Sequence, residues 1–78
     1  MKTDETRDIL SDEAAAVKRL RETLAMEKSI IEQLSFDSSL DRQSHQMLRG
    51  VLHAMERDRQ RLCDLESALD VLLAEMAE

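Results

Sequence analysis

Apolar residues recur at seven-residue intervals in two separate segments of the chain. In the first segment, one heptad position is apolar throughout and is occupied by Leu10, Val17, Leu24 and Ile31. In the second segment, the corresponding position is occupied by Leu48, Met55, Leu62, Leu69 and Met76. A repeat of about 3.5 residues is typical of helices that pack side by side. The pattern therefore predicts two amphipathic helices that share an apolar seam.

A second apolar position, three residues after the first, is less regular. We assign to it Leu20 and Leu34 in the first segment and Val51, Leu65 and Leu72 in the second. Glu27 and Asp58 interrupt this position, one in each segment, and we interpret them as polar breaks in the core that tune register and oligomeric state. The alternative is that the apolar stripe stops facing its own partner helix at these points. Further apolar residues flank the stripes and are expected to stay uncovered in an isolated hairpin: Ile9, Ile30, Met47, Leu52 and Leu73.

A short polar stretch, "SFDSSLD" at residues 35–41, separates the two apolar segments. Ser and Asp compete for helical backbone hydrogen bonds and favour helix caps. Ser38, followed by Asp41 three residues later, resembles a capping box with Asp in place of the usual Glu or Gln. We therefore predict a short connection at about 35–38 that joins antiparallel helices. The alternative is one continuous helix of roughly 100 Å.

The expected fold class is all-α, an antiparallel two-helix hairpin that resembles a coiled coil. Thr3 and Ser11 are each followed by two acidic residues, and each is a typical helix start. We place the first helix at about 11–34 and treat residues 3–10 as a looser or separate helical turn. The second helix, at about 39–77, is then the longer one. Residues 1–78 form a single helical-hairpin domain in this interpretation.

The unequal helix lengths lead to an expectation about the end of the chain, "LDVLLAEMAE". With a turn centred near Asp37, Leu10 would face Asp64. The second helix beyond that level would have little cover from the first helix. We therefore predict that the apolar residues of this region form the interface with a partner: Leu62, Leu65, Leu69, Leu72, Leu73 and Met76.

Composition narrows the range of functions. The chain has 78 residues, no proline, one glycine, one aromatic residue and a formal net charge of -6. The negative charge disfavours nucleic-acid binding, which depends on clustered Lys and Arg. A single cysteine excludes an internal disulfide and suits a reducing compartment. Since "MKTDETRDIL" lacks the apolar core of a signal peptide and no apolar run reaches about 18 residues, we expect a cytoplasmic protein without a membrane span.

No group of residues predicts catalysis or a bound cofactor. His45 and His53 would lie about 12 Å apart along a helix, too far to share a metal ion within one chain. Cys63 falls beside the core position Leu62, without an evident base or pocket. Gly50 is the single glycine, so a glycine-rich phosphate loop is ruled out. We therefore expect a protein that is not an enzyme and that has no cofactor or metal.

The order of segments resembles a known family. "LSDEAAAVKRLRETLAMEKSIIEQL" is followed by a short "SFDSS" link and a long second helix. This architecture resembles the small helical-hairpin co-chaperones of bacterial type III secretion needle subunits. Members of that family pair with a larger helical-repeat chaperone, and together they keep the needle subunit soluble and unpolymerised. The resemblance implies a chaperone role without catalysis.

These observations predict a non-catalytic protein–protein interaction module. Its role would be that of a small chaperone, co-chaperone or adaptor that binds a helical partner through apolar heptad faces and keeps it soluble. The alternative is a homodimeric four-helix bundle with a structural or regulatory role. That alternative includes RNA binding through a belt of arginines: Arg42, Arg49, Arg57, Arg59 and Arg61.

Overall fold

Two long helices make up almost the whole chain. The structure, a computed structural model, describes residues 2–76, with side chains from residue 4 onward. Helix α1 spans Lys2–Leu34 and helix α2 spans Arg42–Met76, and they pack antiparallel in a rod of 59 × 14 × 14 Å. The predicted all-α hairpin is confirmed, and the alternative of one continuous helix is wrong. Within residues 2–76, neither helix combines the length and the apolar character that crossing a membrane requires.

Helix α1 begins at Lys2, well before the predicted start at Ser11. Asp4 and Glu5 lie in its first turn, where carboxylates interact favourably with the helix dipole. No glycine or proline follows within α1, so nothing breaks the helix before Ser11. The prediction of a looser turn at residues 3–10 is therefore wrong: a continuous helix can pack this segment against α2.

The end of α2 lies beside the first turns of α1. Arg7 Nη2 donates a 2.7 Å hydrogen bond to the carbonyl oxygen of Met76. The helices have 33 and 35 residues, so α2 is the longer helix, as predicted, but only slightly. The predicted large difference in length, the pairing of Leu10 with Asp64 and the uncovered tail are therefore wrong. The error arose because the start of α1 was placed too late and the start of α2 too early.

The connection between the helices covers residues 35–41, three residues more than the predicted 35–38. Asp41, rather than Ser38, caps α2. Its Oδ1 accepts a 2.7 Å hydrogen bond from the backbone N–H of Ser44, which would otherwise lack a helical partner. The second helix therefore begins at residue 42 and not at residue 39.

Asp37 stabilises the conformation of the connection through hydrogen bonds to Ser39. Its Oδ1 accepts hydrogen bonds from the Ser39 hydroxyl at 2.7 Å and from the Ser39 N–H at 2.9 Å. These bonds lower the pKa of Asp37, and the backbone N–H of Ser44 likewise lowers the pKa of Asp41. Both carboxylates therefore bind their donors best in the ionised form. His45 Nε2 lies 3.2 Å from the Asp37 carbonyl oxygen and joins the connection to α2.

The predicted first heptad column forms the seam between the helices. Every residue assigned to it is buried or half-buried, and Val17 and Leu69 are the most enclosed, at 6% and 9% exposed. This part of the prediction is confirmed. Both helices thus contribute one continuous line of apolar side chains to their contact.

The second heptad column was assigned to the wrong side of the first. The apolar residues placed there are 44–58% exposed: Leu20, Leu34, Val51, Leu65 and Leu72. The column that faces the partner helix lies three residues before each seam residue. It contains Arg7, Ala14, Arg21 and Lys28 on α1, and His45, Leu52, Arg59, Glu66 and Leu73 on α2. Glu27 and Asp58 are consequently exposed and do not break the core.

The hairpin has a thin core. Val17 and Leu69 are the only buried apolar residues among those described, and no described side chain is completely enclosed. The accessible surface is 6213 Å², whereas a compact monomer of 9.0 kDa exposes about 4,900 Å². The excess of roughly 1,300 Å² is more than one partner contributes to an interface of standard size, about 800 Å².

Gly50 lies on the exposed surface of α2. A Cβ atom added there would meet no other atom within 4 Å. Glycine inside a helix costs about 1 kcal/mol relative to alanine. Nothing in the hairpin itself explains this residue.

Candidate interaction surface

Exposed apolar residues of both helices gather on one side of the hairpin, which we call the apolar flank. They occupy the heptad positions next to the seam residues, and antiparallel packing brings these positions of α1 and α2 to the same side. All of them are at least 44% exposed. The apolar flank is defined by Ile9, Leu20, Ile30, Leu34, Met47, Val51, Leu65 and Leu72.

An open groove of about 500 Å³ runs between the helices in the middle of the apolar flank. It is lined by Leu20, Thr23, Leu24, Glu27, Asp58, Arg61 and Leu62. Leu24 and Leu62 are seam residues, so the groove reaches down to the contact between the helices. Its shape and lining suit an apolar side chain that enters from outside.

The opposite side of the hairpin is held by ion pairs between the helices. Arg21 Nε donates to Glu66 Oε2 at 2.6 Å, with the two side chains 30% and 22% exposed. Lys28 Nζ donates to Glu56 Oε2 at 2.7 Å. Arg59 Nη2, which lies on α2 like Glu56, donates to the other oxygen of Glu56 at 2.6 Å and adds an ion pair within that helix. The two pairs between the helices fix the register of α1 against α2 on the polar side, and among residues 4–76 no ion pair joins the helices across the apolar flank.

The basic neighbours of Glu56 hold its carboxylate in the ionised form. Hydrogen bonds from Arg59 and then from Lys28 lower the pKa of Glu56 from 4.5 to about 2. The hydrogen bond from Arg21 also lowers the pKa of Glu66. Because each folded-state pKa lies below the unfolded value, these pairs contribute stability above the ordinary carboxylate pKa and lose it on acidification.

Acidification is expected to lower the Tm of the hairpin as the pH falls from about 4.5 towards about 2. Circular dichroism melts across this window should show a smaller fall for Glu56→Gln than for the wild type. The difference should be a few degrees, because Glu56 is 44% exposed and solvent screens its ion pairs. Glu13→Gln, which removes an exposed acid, is the matched control and should keep the wild-type profile. An equally steep fall for Glu56→Gln would contradict the assigned pairing.

The residues predicted to form the partner interface divide between the contact of the two helices and the apolar flank. Leu62, Leu69 and Met76 belong to the seam, Leu73 lies in the neighbouring column that faces α1, and all four are buried or half-buried. Leu65 and Leu72 are 47% and 44% exposed and belong to the apolar flank. The uncovered tail that motivated the prediction does not exist, because α1 extends to the end of α2. That Leu65 and Leu72 bind a partner stays a prediction.

Sequence reasoning found only part of the contribution of α1 to this surface, because it expected Ile9 and Ile30 to be uncovered but not Leu20 and Leu34. Leu20 and Leu34 were assigned to the core, although they lie on the apolar flank. The width of the apolar stripe was the available signal. Ile9, Ile30 and the seam residues of α1 together span more of the helix circumference than a single partner helix covers. Such a wide stripe is typical of helices that pack against more than one neighbour.

The histidines and the cysteine do not converge on a common centre. Among residues 4–76, no three His, Cys, Asp or Glu side chains are arranged to hold a metal ion. His45 contacts the connection, and His53 is exposed on α2. Cys63 is half-buried, and Arg59 Nη1 lies 3.7 Å from its sulfur.

Comparisons with known proteins do not assign the chain to a family. No protein-family model matches it, and no curated protein or solved structure matches it either.

Proposed function

We propose that this chain is a non-catalytic interaction module that binds a helical partner on its apolar flank. The observation that carries the proposal is the exposure of Leu20, which lines the groove, and of Leu65 on the same flank, with no covering element among residues 2–76. A contiguous exposed apolar patch generally marks an interaction site. A groove between two helices accommodates the apolar face of a third helix.

The thin core is a second, independent observation that supports the proposal. Small scaffolds rarely gain enough stability from one core and commonly depend on a disulfide, a metal or a partner. This chain has one cysteine, so an internal disulfide cannot help. Contact with a partner would cover the excess surface and stabilise the hairpin by mass action.

Within this proposal, the biological role is that of a small chaperone, co-chaperone or adaptor that keeps its partner soluble. The resemblance to the co-chaperones of type III secretion needle subunits supports this role through small size, acidity and hairpin architecture. That role places the protein in the cytoplasm and requires no catalytic residues. The resemblance rests on architecture and not on a diagnostic motif.

A second candidate is a homodimeric four-helix bundle with a structural or regulatory role. The observation that favours it is the presence of exposed apolar residues on both helices of the same flank. Two hairpins placed flank to flank would give four packed helices. RNA binding through the arginine belt is weaker, because Arg59 is already paired with Glu56.

Light scattering and circular dichroism melts of the purified chain test the proposal. We expect a monomer with a low Tm and a broad transition. Replacing Leu20 and Leu65 by serine should change neither mass nor Tm much, because the apolar flank of the free chain is unoccupied. Met26 and Val71 are 68% and 58% exposed and lie outside the flank, and their replacement by serine is the control. A tight dimer that only the flank variant dissociates would instead establish the four-helix bundle.

A further inference from the structure

Charged residues that share the apolar flank are nearly all acidic. Glu27 and Asp58 line the central groove from opposite helices, with Arg61 beside them. Glu13 lies two heptads before Glu27, Glu75 lies two heptads after Arg61, and both are exposed. Among residues 4–76, whose side chains the structure describes, Arg61 is the one basic residue on this flank. The other Lys and Arg residues of that range occupy heptad positions on the polar side or on the outer surface.

These acids are poorly neutralised within the hairpin. Arg61 Nη1 lies 4.0 Å from Asp58 Oδ1, and the two side chains are 80% and 60% exposed. Glu13 and Glu27 form no ion pair with another residue in 4–76. Glu56 on the polar side, by contrast, is bound by two basic side chains. The apolar flank therefore presents carboxylates that still have the capacity to accept hydrogen bonds and pair with cations.

We propose that the partner on the apolar flank is a basic amphipathic helix. This inference rests on the proposed function and adds the chemistry of the partner. Along α1, acidic and leucine positions alternate at seven-residue steps: Glu13, Leu20, Glu27 and Leu34. Seven residues of helix correspond to about 10.5 Å. A helix laid along the groove therefore matches this surface when an apolar residue and a Lys or Arg alternate at the same step.

A second copy of the chain fits the flank less well, because it brings the same charges. When two copies face each other with Glu27 and Asp58 of one opposite the same residues of the other, the carboxylates of both copies meet. Only the two Arg61 side chains, one from each copy, are then present to neutralise them. Displacing one copy by a heptad sets those carboxylates against Leu20 and Leu65 instead. Burying a carboxylate against leucine is unfavourable, because the charge loses its hydration without gaining a partner. Charge complementarity thus favours a basic helix over a second acidic hairpin.

Binding of designed peptides to the full chain tests the inference. The probe is a labelled helical peptide of about four heptads whose groove-facing positions alternate between Leu and Lys at seven-residue steps. Two matched peptides carry Gln or Glu in place of Lys. Fluorescence anisotropy should show that the Lys peptide binds roughly tenfold more tightly than the Gln peptide, and that the Glu peptide binds least. Added salt should reduce the advantage of the Lys peptide.

Three variants of the chain locate the effect. Replacing Glu27 by Gln and Asp58 by Asn should remove most of the preference for Lys over Gln. The matched control, Glu22→Gln with Asp70→Asn, also removes two exposed acids, but away from the flank, and should keep the preference. Leu20→Ser with Leu65→Ser should weaken the binding of all three peptides.

The outcomes separate this inference from the proposed function. Equal binding of the Lys and Gln peptides, lost in the Leu20 and Leu65 variant, would overturn the basic partner while supporting the helix-binding flank. Lys-peptide binding that survives the Leu20 and Leu65 changes would overturn the inference, because the peptide would then bind elsewhere. Failure of all three peptides to bind would overturn it as well, and a stable dimer by light scattering would identify the second copy as the occupant.

Discussion

Replacing Leu69 by Asp is expected to unfold the hairpin. Leu69 is 9% exposed and is one of two buried residues among those described. An ionised carboxylate without a partner at such a position costs at least about 4 kcal/mol. The single core of a chain of this size rarely supplies more than about 3–5 kcal/mol. Circular dichroism at room temperature should therefore show the loss of most helical signal.

The matched control is Leu72→Asp, the same change three residues along the same helix. Leu72 is 44% exposed on the apolar flank, so its replacement should keep the helical signal and change the Tm by a few degrees. If the end of α2 were instead uncovered and formed a partner interface, as the sequence pattern suggested, both variants would stay helical. If Leu69→Asp remains folded while Leu72→Asp unfolds, α2 must be rotated relative to the orientation described above.

The two helices and their first seam column could be predicted from the sequence. An apolar residue at every seventh position, from Leu10 to Ile31 and from Leu48 to Met76, is explained by one helix face that meets another helix. The near absence of glycine and proline supports the same interpretation without reference to any tertiary contact. These signals are local, so they survive in the sequence alone.

The neighbouring column could not be predicted in the same way. Positions three residues before and three residues after a seam residue lie symmetrically on its two sides, so periodicity cannot choose between them. Hydrophobicity favoured Leu20 over Arg21, and Leu65 over Glu66. The structure places Arg21 and Glu66 inward, where they pair at 2.6 Å and are only 30% and 22% exposed. That choice depends on a contact between residues far apart in the sequence.

Part of the candidate surface was missed for the same reason. Ile9, Ile30 and Met47 were expected to be uncovered, but Leu20 was visible only as an apolar heptad position and was taken for core. The interface was instead assigned to the end of α2, because the first helix was expected to begin at Ser11. Once α1 starts at Lys2, the seam residues at the end of α2 are covered, and the exposed apolar surface moves to the side of the hairpin.

Truncation of α1 is expected to show that its first turns belong to the fold. A chain that lacks residues 2–10 loses Leu10 from the seam and the hydrogen bond from Arg7 to Met76. The end of α2, including Leu73, then loses its cover. Apolar burial of this size contributes about 2–3 kcal/mol, which corresponds to a Tm lower by roughly 10–20 °C in a domain of this length. Circular dichroism melts of the truncated and full chains measure the difference.

A shorter truncation provides the control, because it separates these contacts from the mere loss of helix length. Removing only residues 2–5 keeps Arg7 and Leu10, so the Tm should fall by no more than a few degrees. The order of the three Tm values then reports where α1 begins to contact α2. If both truncated chains have the Tm of the full chain, residues 6–10 make no stabilising contact. The end of α2 is then uncovered, as expected for a hairpin whose first helix begins at Ser11. If only the longer deletion lowers the Tm, the contacts of Arg7 and Leu10 set the register of the helices.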